Sequence, residues 1–150
     1  MNTISMRALR IVLIGAGAFI VFLGIDFGFG GFRTLGWQGS GSTDFVQISD
    51  AARFGVQDSH FRFFGGAFGA LGLWMIFAAR DPRRYRQSLL LIFAAIAAGG
   101  LTRFTAGDRS LLFGRELGVA LLVELGLSAV LAGWLARAGA APADGAPASG

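Results

Sequence analysis

Long uncharged stretches alternate with short charged ones along the chain. The uncharged stretches cover residues 11–25, 63–79 and 88–102, and a fourth apolar stretch, 117–136, contains Glu124 as its one charge. A helix of seventeen to twenty residues is roughly 25–30 Å long, the thickness of a bilayer's hydrocarbon core. The pattern therefore predicts an all-α protein, a bundle of four transmembrane helices at about residues 9–31, 60–79, 87–103 and 115–136.

Small residues mark one face of the second predicted helix. Gly65 and Gly69 have the small-xxx-small spacing that lets another helix approach closely. Arg62 lies seven residues before Gly69, so it returns to nearly the same side of the helix. We therefore expect Arg62 to point towards a partner helix rather than into lipid.

The first apolar stretch permits two other interpretations. A basic start and an apolar centre are typical of a signal peptide, but Gly28 and Gly30 match a cleavage site only weakly, and the apolar region is long. We favour a retained helix. Gly15 and Gly17 resemble a dinucleotide-binding motif, but Ile20 occupies the third glycine's place and no strand precedes it, which favours helix packing.

Composition supports the membrane assignment. The 150 residues are 54% hydrophobic and 15% charged, too apolar for an ordinary soluble domain. The net charge of +4 comes from arginines at the edges of apolar stretches, so we expect a lipid bilayer and not nucleic acid as the partner. All thirteen basic residues are arginine, and Ala and Gly are abundant, which is typical of a GC-rich bacterium. With four predicted transmembrane helices, we expect a multi-pass protein of the bacterial inner membrane.

Few residues are available for metal or cofactor chemistry. The chain has no cysteine, which excludes disulfides and thiolate ligands, and His60 is the one histidine. We expect no metal site and no cofactor. His60 could titrate near neutral pH, but a solvated histidine at the membrane surface is the favoured interpretation.

The connections set the predicted orientation and domain limits. Four arginines between residues 80 and 86 outweigh the sparser arginines of the other connections, so we predict that both termini are cytoplasmic. The polar loop 33–58 has no assigned fold, although Ser49 and Asp50 resemble the start of a short interfacial helix. The membrane domain is predicted to span 1–137, followed by a disordered tail at 138–150.

Charged residues collect at the predicted outer ends of the helices. The candidate intramembrane polar cluster is Asp26, Arg62, Arg103, Arg115, Glu116 and Glu124. Glu124 lies far enough inside its apolar stretch to cost several kcal/mol unless it is paired, so an arginine partner is expected. Arg115 would lie on the opposite side of an ideal helix from Glu124. The favoured interpretation is an ion-paired network that ties the helices together, and the alternative is a small polar pocket open to the outer face.

Two short patterns resemble a known family. They are Phe61, Arg62, Phe63, Phe64 and Gly65 with the Gly/Leu run after them, and Gly114 with Arg115, followed at a distance by Glu124 and Leu125. The chain from about Ile11 to Ala136 resembles the domain-of-unknown-function 4345 family of small four-helix bacterial membrane proteins, itself similar to DoxX-like proteins. The resemblance implies a four-helix membrane bundle without an assigned activity, and it supplies no catalytic residues.

Three function classes follow from these patterns. The favoured one is a non-enzymatic integral membrane protein that forms a homo-oligomer or joins another membrane protein. The alternative is a small transporter or binder of an anionic or protonatable solute, in which arginines hold an anion or Asp26 and Glu124 exchange protons. An enzyme is disfavoured, because Asp26 and Glu124 could form paired carboxylates but no substrate chemistry follows from them.

Overall fold

The computed structural model describes residues 3–37, 47–107, 109–115 and 117–139. Every regular element in these ranges is helical, which confirms the all-α prediction. The first three helices are α1 (Thr3–Gly30), α2 (Ala51–Ala78) and α3 (Arg86–Thr102). The last helix, α4, consists of three consecutive segments: Gly118–Leu121, Leu122–Leu127 and Ser128–Gly139. Short helical turns occupy Gly31–Arg33, Arg103–Ala106 and Arg109–Leu112.

Four helices of the described chain are long and apolar enough to cross a membrane, as predicted. Large apolar side chains cover their surfaces: Phe29, Phe63 and Leu122 are 73%, 71% and 73% exposed. Water would not tolerate so many exposed apolar groups, whereas lipid tails would cover them. The chain is therefore a multi-pass membrane protein whose helices contact the bilayer.

α2 begins at Ala51, well before the predicted residue 60. Asp50 caps it, as its sequence position indicated, because the Asp50 side chain accepts a hydrogen bond of 3.0 Å from Arg53 N. The prediction of a separate short interfacial helix here is wrong, since α2 continues from this cap without a break to Ala78. Residues 38–46 of the loop without an assigned fold lie outside the described residues.

The chain forms two compact units, one of which is Arg10–Arg80. In this unit α1 and α2 meet along paired glycines. A Cβ atom on Gly24 would lie 2.5 Å from Gly69 Cα, and one on Gly72 would lie 2.6 Å from Gly17 O. No side chain fits between backbones this close, so the predicted packing role of Gly17 and Gly69 is confirmed. For Gly15, which was expected to pack in the same way, a Cβ atom would meet nothing within 4 Å.

The other unit comprises Met1–Leu9 and Asp81–Gly150. Here α3 packs against α4, and both helices bury leucines, among them Leu89 and Leu135. Trp134 Nε1 donates a hydrogen bond of 3.0 Å to Ser5 Oγ, which ties the beginning of α1 to α4. α4 ends at Gly139, and residues 140–150 of the predicted disordered tail lie outside the described residues.

Candidate functional site

The clearest ionic contact between two helices joins Arg103 to Glu124. Arg103 is the first residue of the 3₁₀ turn that follows α3, and Glu124 belongs to α4. Arg103 Nε donates to Glu124 Oε2 at 2.7 Å, and Arg103 Nη2 donates to Oε1 at 2.6 Å. This bidentate geometry fixes both side chains and is among the stronger polar contacts in proteins. The predicted arginine partner of Glu124 is therefore Arg103.

Glu124 lies on an unusual backbone. Residues Leu122–Leu127 form a π-helical segment, which interrupts the regular α-helical hydrogen bonding of α4. Such segments are rare and frequently lie at functional sites. Gly100 of α3 provides the space opposite, because a Cβ atom there would lie 3.0 Å from Glu124 Cβ and 3.2 Å from Oε2. The pair remains partly accessible, with side-chain exposures of 37% for Arg103 and 19% for Glu124.

In the unit Arg10–Arg80, Arg62 binds the end of α1. Its Nη1 donates to Phe29 O, and its Nη2 donates to Gly30 O at 3.4 Å. These are among the last carbonyls of α1, which have no partner within their own helix. Arg62 Nε also donates to Asp58 Oδ2 at 2.6 Å, one helical turn earlier on α2. The expectation that Arg62 faces a partner helix is confirmed.

Two carboxylates hold the segment that follows α1. Phe32 N donates to Asp58 Oδ1, and Leu35 N donates to Asp26 Oδ1, each at 2.8 Å. Asp26 is fully buried. Gly31 has a positive φ of 66°, and a Cβ atom there would overlap Asp58. We call Asp26, Asp58 and Arg62 the α1 clamp, because together they fix the end of α1 and residues 31–35.

Asp58 is the member of the clamp that the sequence analysis missed. The available signal was its position four residues before Arg62 on a helix, a spacing at which an acidic and a basic side chain meet. Because residues 33–58 are rich in polar residues, Asp58 was predicted to lie in a loop, where a spacing of four residues from Arg62 has no meaning.

The structure brings together one pair of the predicted cluster, Arg103 with Glu124. Asp26 and Arg62 both bond to backbone near the end of α1: Asp26 accepts from Leu35 N, and Arg62 donates to Phe29 O. Arg115 is exposed, and Glu116 lies outside the described residues. A single cluster of all six residues therefore stays a prediction. Among the described residues, no group of His, Cys, Asp or Glu is arranged to hold a metal ion.

Comparison with known proteins gives one family. A family model described as "Domain of unknown function (DUF4345)" matches residues 8–135, nearly the whole membrane-spanning part of the chain. No curated protein and no solved structure matches the sequence. The patterns around Arg62 and around Arg115 and Glu124 both lie within the matched range.

Proposed function

We propose, from the premise that this chain belongs to the DUF4345 family, that it is a non-enzymatic integral membrane protein whose intramembrane charges are structural. One observation carries the proposal: charged groups in apolar helices are bound by the protein's own atoms. Glu124 is paired with Arg103, Arg62 binds Asp58 and two backbone carbonyls, and Asp26 accepts from a backbone amide.

Charged side chains that are already hydrogen-bonded within the protein support a structural role rather than a catalytic one. Both Glu124 oxygens accept from Arg103, so the carboxylate is held as one half of a bidentate ion pair. Among the described residues, every buried side-chain nitrogen or oxygen atom has a hydrogen-bond partner. A polar group inside an apolar helix finds little water to replace a lost partner, so the Arg103–Glu124 pair in particular holds its helices together.

A charge swap tests this structural role. The single variants Arg103→Glu and Glu124→Arg should each lower the thermal unfolding temperature in detergent, because each leaves two like charges facing one another. The double variant should regain most of the loss, since the pair is restored with its direction reversed. Equal unfolding temperatures for wild type and both single variants would overturn the structural role.

A second function, a transporter or binder of an anionic or protonatable solute, is favoured by the π-helical segment. That segment presents Glu124 on irregular backbone inside an apolar helix, where polar residues often mark solute pathways. Anions such as acetate, phosphate and dicarboxylates should then raise the unfolding temperature of the wild type and of an Arg109→Gln control, but not of Arg103→Gln. No response of the wild type to any of these anions would count against this function.

We further propose an orientation in which both termini are cytoplasmic, in a bacterial inner membrane. The arginines at residues 80–86 support it through the positive-inside rule. Because the chain has no cysteine, single cysteines can report sidedness. In intact spheroplasts, an impermeant maleimide should label Ser49→Cys readily and Gln87→Cys only after permeabilisation. The reverse labelling would overturn the orientation.

We also propose a homo-oligomer or a membrane-protein partner. The support is that several glycines of the membrane-spanning helices, Gly66, Gly126 and Gly133 among them, have open space where a Cβ atom would lie. Helices with such small residues can approach one another closely. Crosslinking in membranes should capture a defined oligomer or a defined partner, and a strictly monomeric product would contradict the proposal.

A further inference from the structure

The turn that leads into α3 has a fixed backbone. Asp81 Oδ1 accepts from Arg84 N at 3.2 Å, and Asp81 O accepts from Tyr85 N at 3.1 Å. Pro82 is fully buried. Ser88 Oγ then donates to Tyr85 O at 2.9 Å at the first turn of α3. This segment is therefore built to present its remaining side chains in a defined arrangement.

Those side chains are three exposed arginines, Arg83, Arg84 and Arg86, which we call the basic turn. Within the described ranges none of the three arginines pairs with a carboxylate. Asp81, the acidic residue of the same turn, accepts a backbone hydrogen bond through its Oδ1. Arginine stays charged at any physiological pH, so three such groups in four residues repel one another. An anion between them would remove that repulsion.

The position of the basic turn indicates which anion it would meet. Residues 79–85 separate the ends of two candidate membrane spans, α2 and α3, so the turn lies at a membrane surface, level with lipid phosphates. Arg84 lies over the ring of Tyr85, 5.6 Å from its centroid, as an interfacial aromatic residue would hold it. Leu91, further along α3, is 71% exposed, so the helix that follows the turn offers apolar surface to lipid.

We propose that the basic turn binds the phosphate of anionic phospholipid headgroups. The planar guanidinium groups of Arg83, Arg84 and Arg86 match phosphate oxygens in a bidentate manner. The beginning of α3 lies at Arg86, so the positive end of the helix dipole adds to the field of the basic turn. The lipid's acyl chains would lie against α3. This binding goes beyond the proposed structural role and does not depend on which leaflet the turn faces.

The test compares two triple variants of the full chain, each of which removes three arginines. R83Q/R84Q/R86Q removes the basic turn, and R7Q/R10Q/R137Q removes three exposed arginines near the chain ends. Each protein is placed in phosphatidylcholine nanodiscs with or without phosphatidylglycerol, and bound lipid is counted by native mass spectrometry. Phosphatidylglycerol should bind the wild type and the control, and should bind the basic-turn variant about 100-fold more weakly, at roughly a factor of five per arginine.

Three outcomes would overturn the proposal. Equal losses in both triple variants would mean that overall charge attracts the lipid. Equal stabilisation by soluble glycerol phosphate at the same concentration would mean that the site takes a free anion. If R83Q/R84Q/R86Q fails to fold, R83K/R84K/R86K replaces it: this variant keeps the charge but lacks the planar fork, and undiminished phosphatidylglycerol binding by it would contradict the proposed recognition.

Discussion

The contact between α1 and α2 and the contact between α3 and α4 join apolar helices in different ways. α1 and α2 meet backbone to backbone: a Cβ atom on Gly24 would lie 2.5 Å from both Cα and N of Gly69. α3 and α4 are joined through side chains, with Arg103 and Glu124 in bidentate contact. Neither contact is driven by exclusion of water once the helices lie in lipid, so close packing and polar bonding must replace that force.

The difference determines what each contact can tolerate. A backbone atom cannot move without shifting its whole helix, whereas a side chain can change its rotamer at modest cost. The glycine contact should therefore fail sharply when a single atom is added. The α3–α4 contact should lose stability in smaller steps, according to which polar bond is removed.

The largest effect is expected for Gly24→Ala. The added Cβ atom would meet three backbone atoms, of Gly69 and Gly65, at 2.5 to 2.8 Å, so the helices must separate. We expect a loss of about 3 kcal/mol in the free energy of unfolding, the upper part of the range for overpacked sites. Circular dichroism during titration with sodium dodecyl sulfate in mixed micelles measures it.

Gly15→Ala is the matched control on the same helix, because a Cβ atom there meets nothing within 4 Å. It should leave stability unchanged or raise it slightly through better helix propensity. If Gly24→Ala were as stable as Gly15→Ala, the close approach of α1 and α2 would be wrong.

The next largest effect is expected for Glu124→Gln. The amide keeps one acceptor but loses the charge, so Arg103 retains at most one of its two bonds to this residue. We expect a loss of about 2 kcal/mol, typical of a hydrogen bond to a charged group. A double-mutant cycle with Arg103→Gln, measured in the same micelles, isolates the coupling between the two side chains.

Arg109→Gln serves as the control for this cycle, because Arg109 is an exposed arginine of the same connection. Its coupling to Glu124→Gln should be close to zero. A coupling between positions 103 and 124 that is no larger would show that the pair contributes nothing to stability.

A smaller effect is expected for Arg62→Gln in the α1 clamp. The variant loses the bonds to Phe29 O, Gly30 O and Asp58, but Arg62 is 44% exposed and water can replace part of them. We expect a loss of about 1 kcal/mol and faster hydrogen exchange at the amides of Phe32 and Leu35. Arg53→Gln, at a position 90% exposed on the same helix, should change neither.

Apolar periodicity was enough to predict the four helices, because a bilayer requires long uncharged stretches and the chain contains four of them. The glycine spacing was enough to predict the packing face of Gly69, and the cost of an unpaired charge inside the membrane was enough to predict an arginine partner for Glu124. The long start of α2 was not foreseen, since residues 51–59 include Arg53 and Asp58 and so do not extend the uncharged stretch, and only the cap at Asp50 marks them as helical. The π-helical segment was not foreseen, because the apolar pattern of residues 117–136 is that of a regular helix.

The smallest effect on stability is expected for alanine variants of two adjacent glycines of α3, Gly99 and Gly100, and it tests how far neighbouring side chains can move. A Cβ atom on Gly100 would lie 3.0 to 3.2 Å from side-chain atoms of Glu124 and Leu125, whereas one on Gly99 meets nothing within 4 Å. Both alanine variants gain about the same helix propensity. Gly100→Ala should therefore be less stable than Gly99→Ala by about 0.5–1 kcal/mol, because the ends of the Glu124 and Leu125 side chains can rotate away at about that cost and Glu124 Cβ needs only a small shift. A difference as large as that between Gly24→Ala and Gly15→Ala would mean that the π-helical backbone itself, and not the side chains on it, limits the α3–α4 contact.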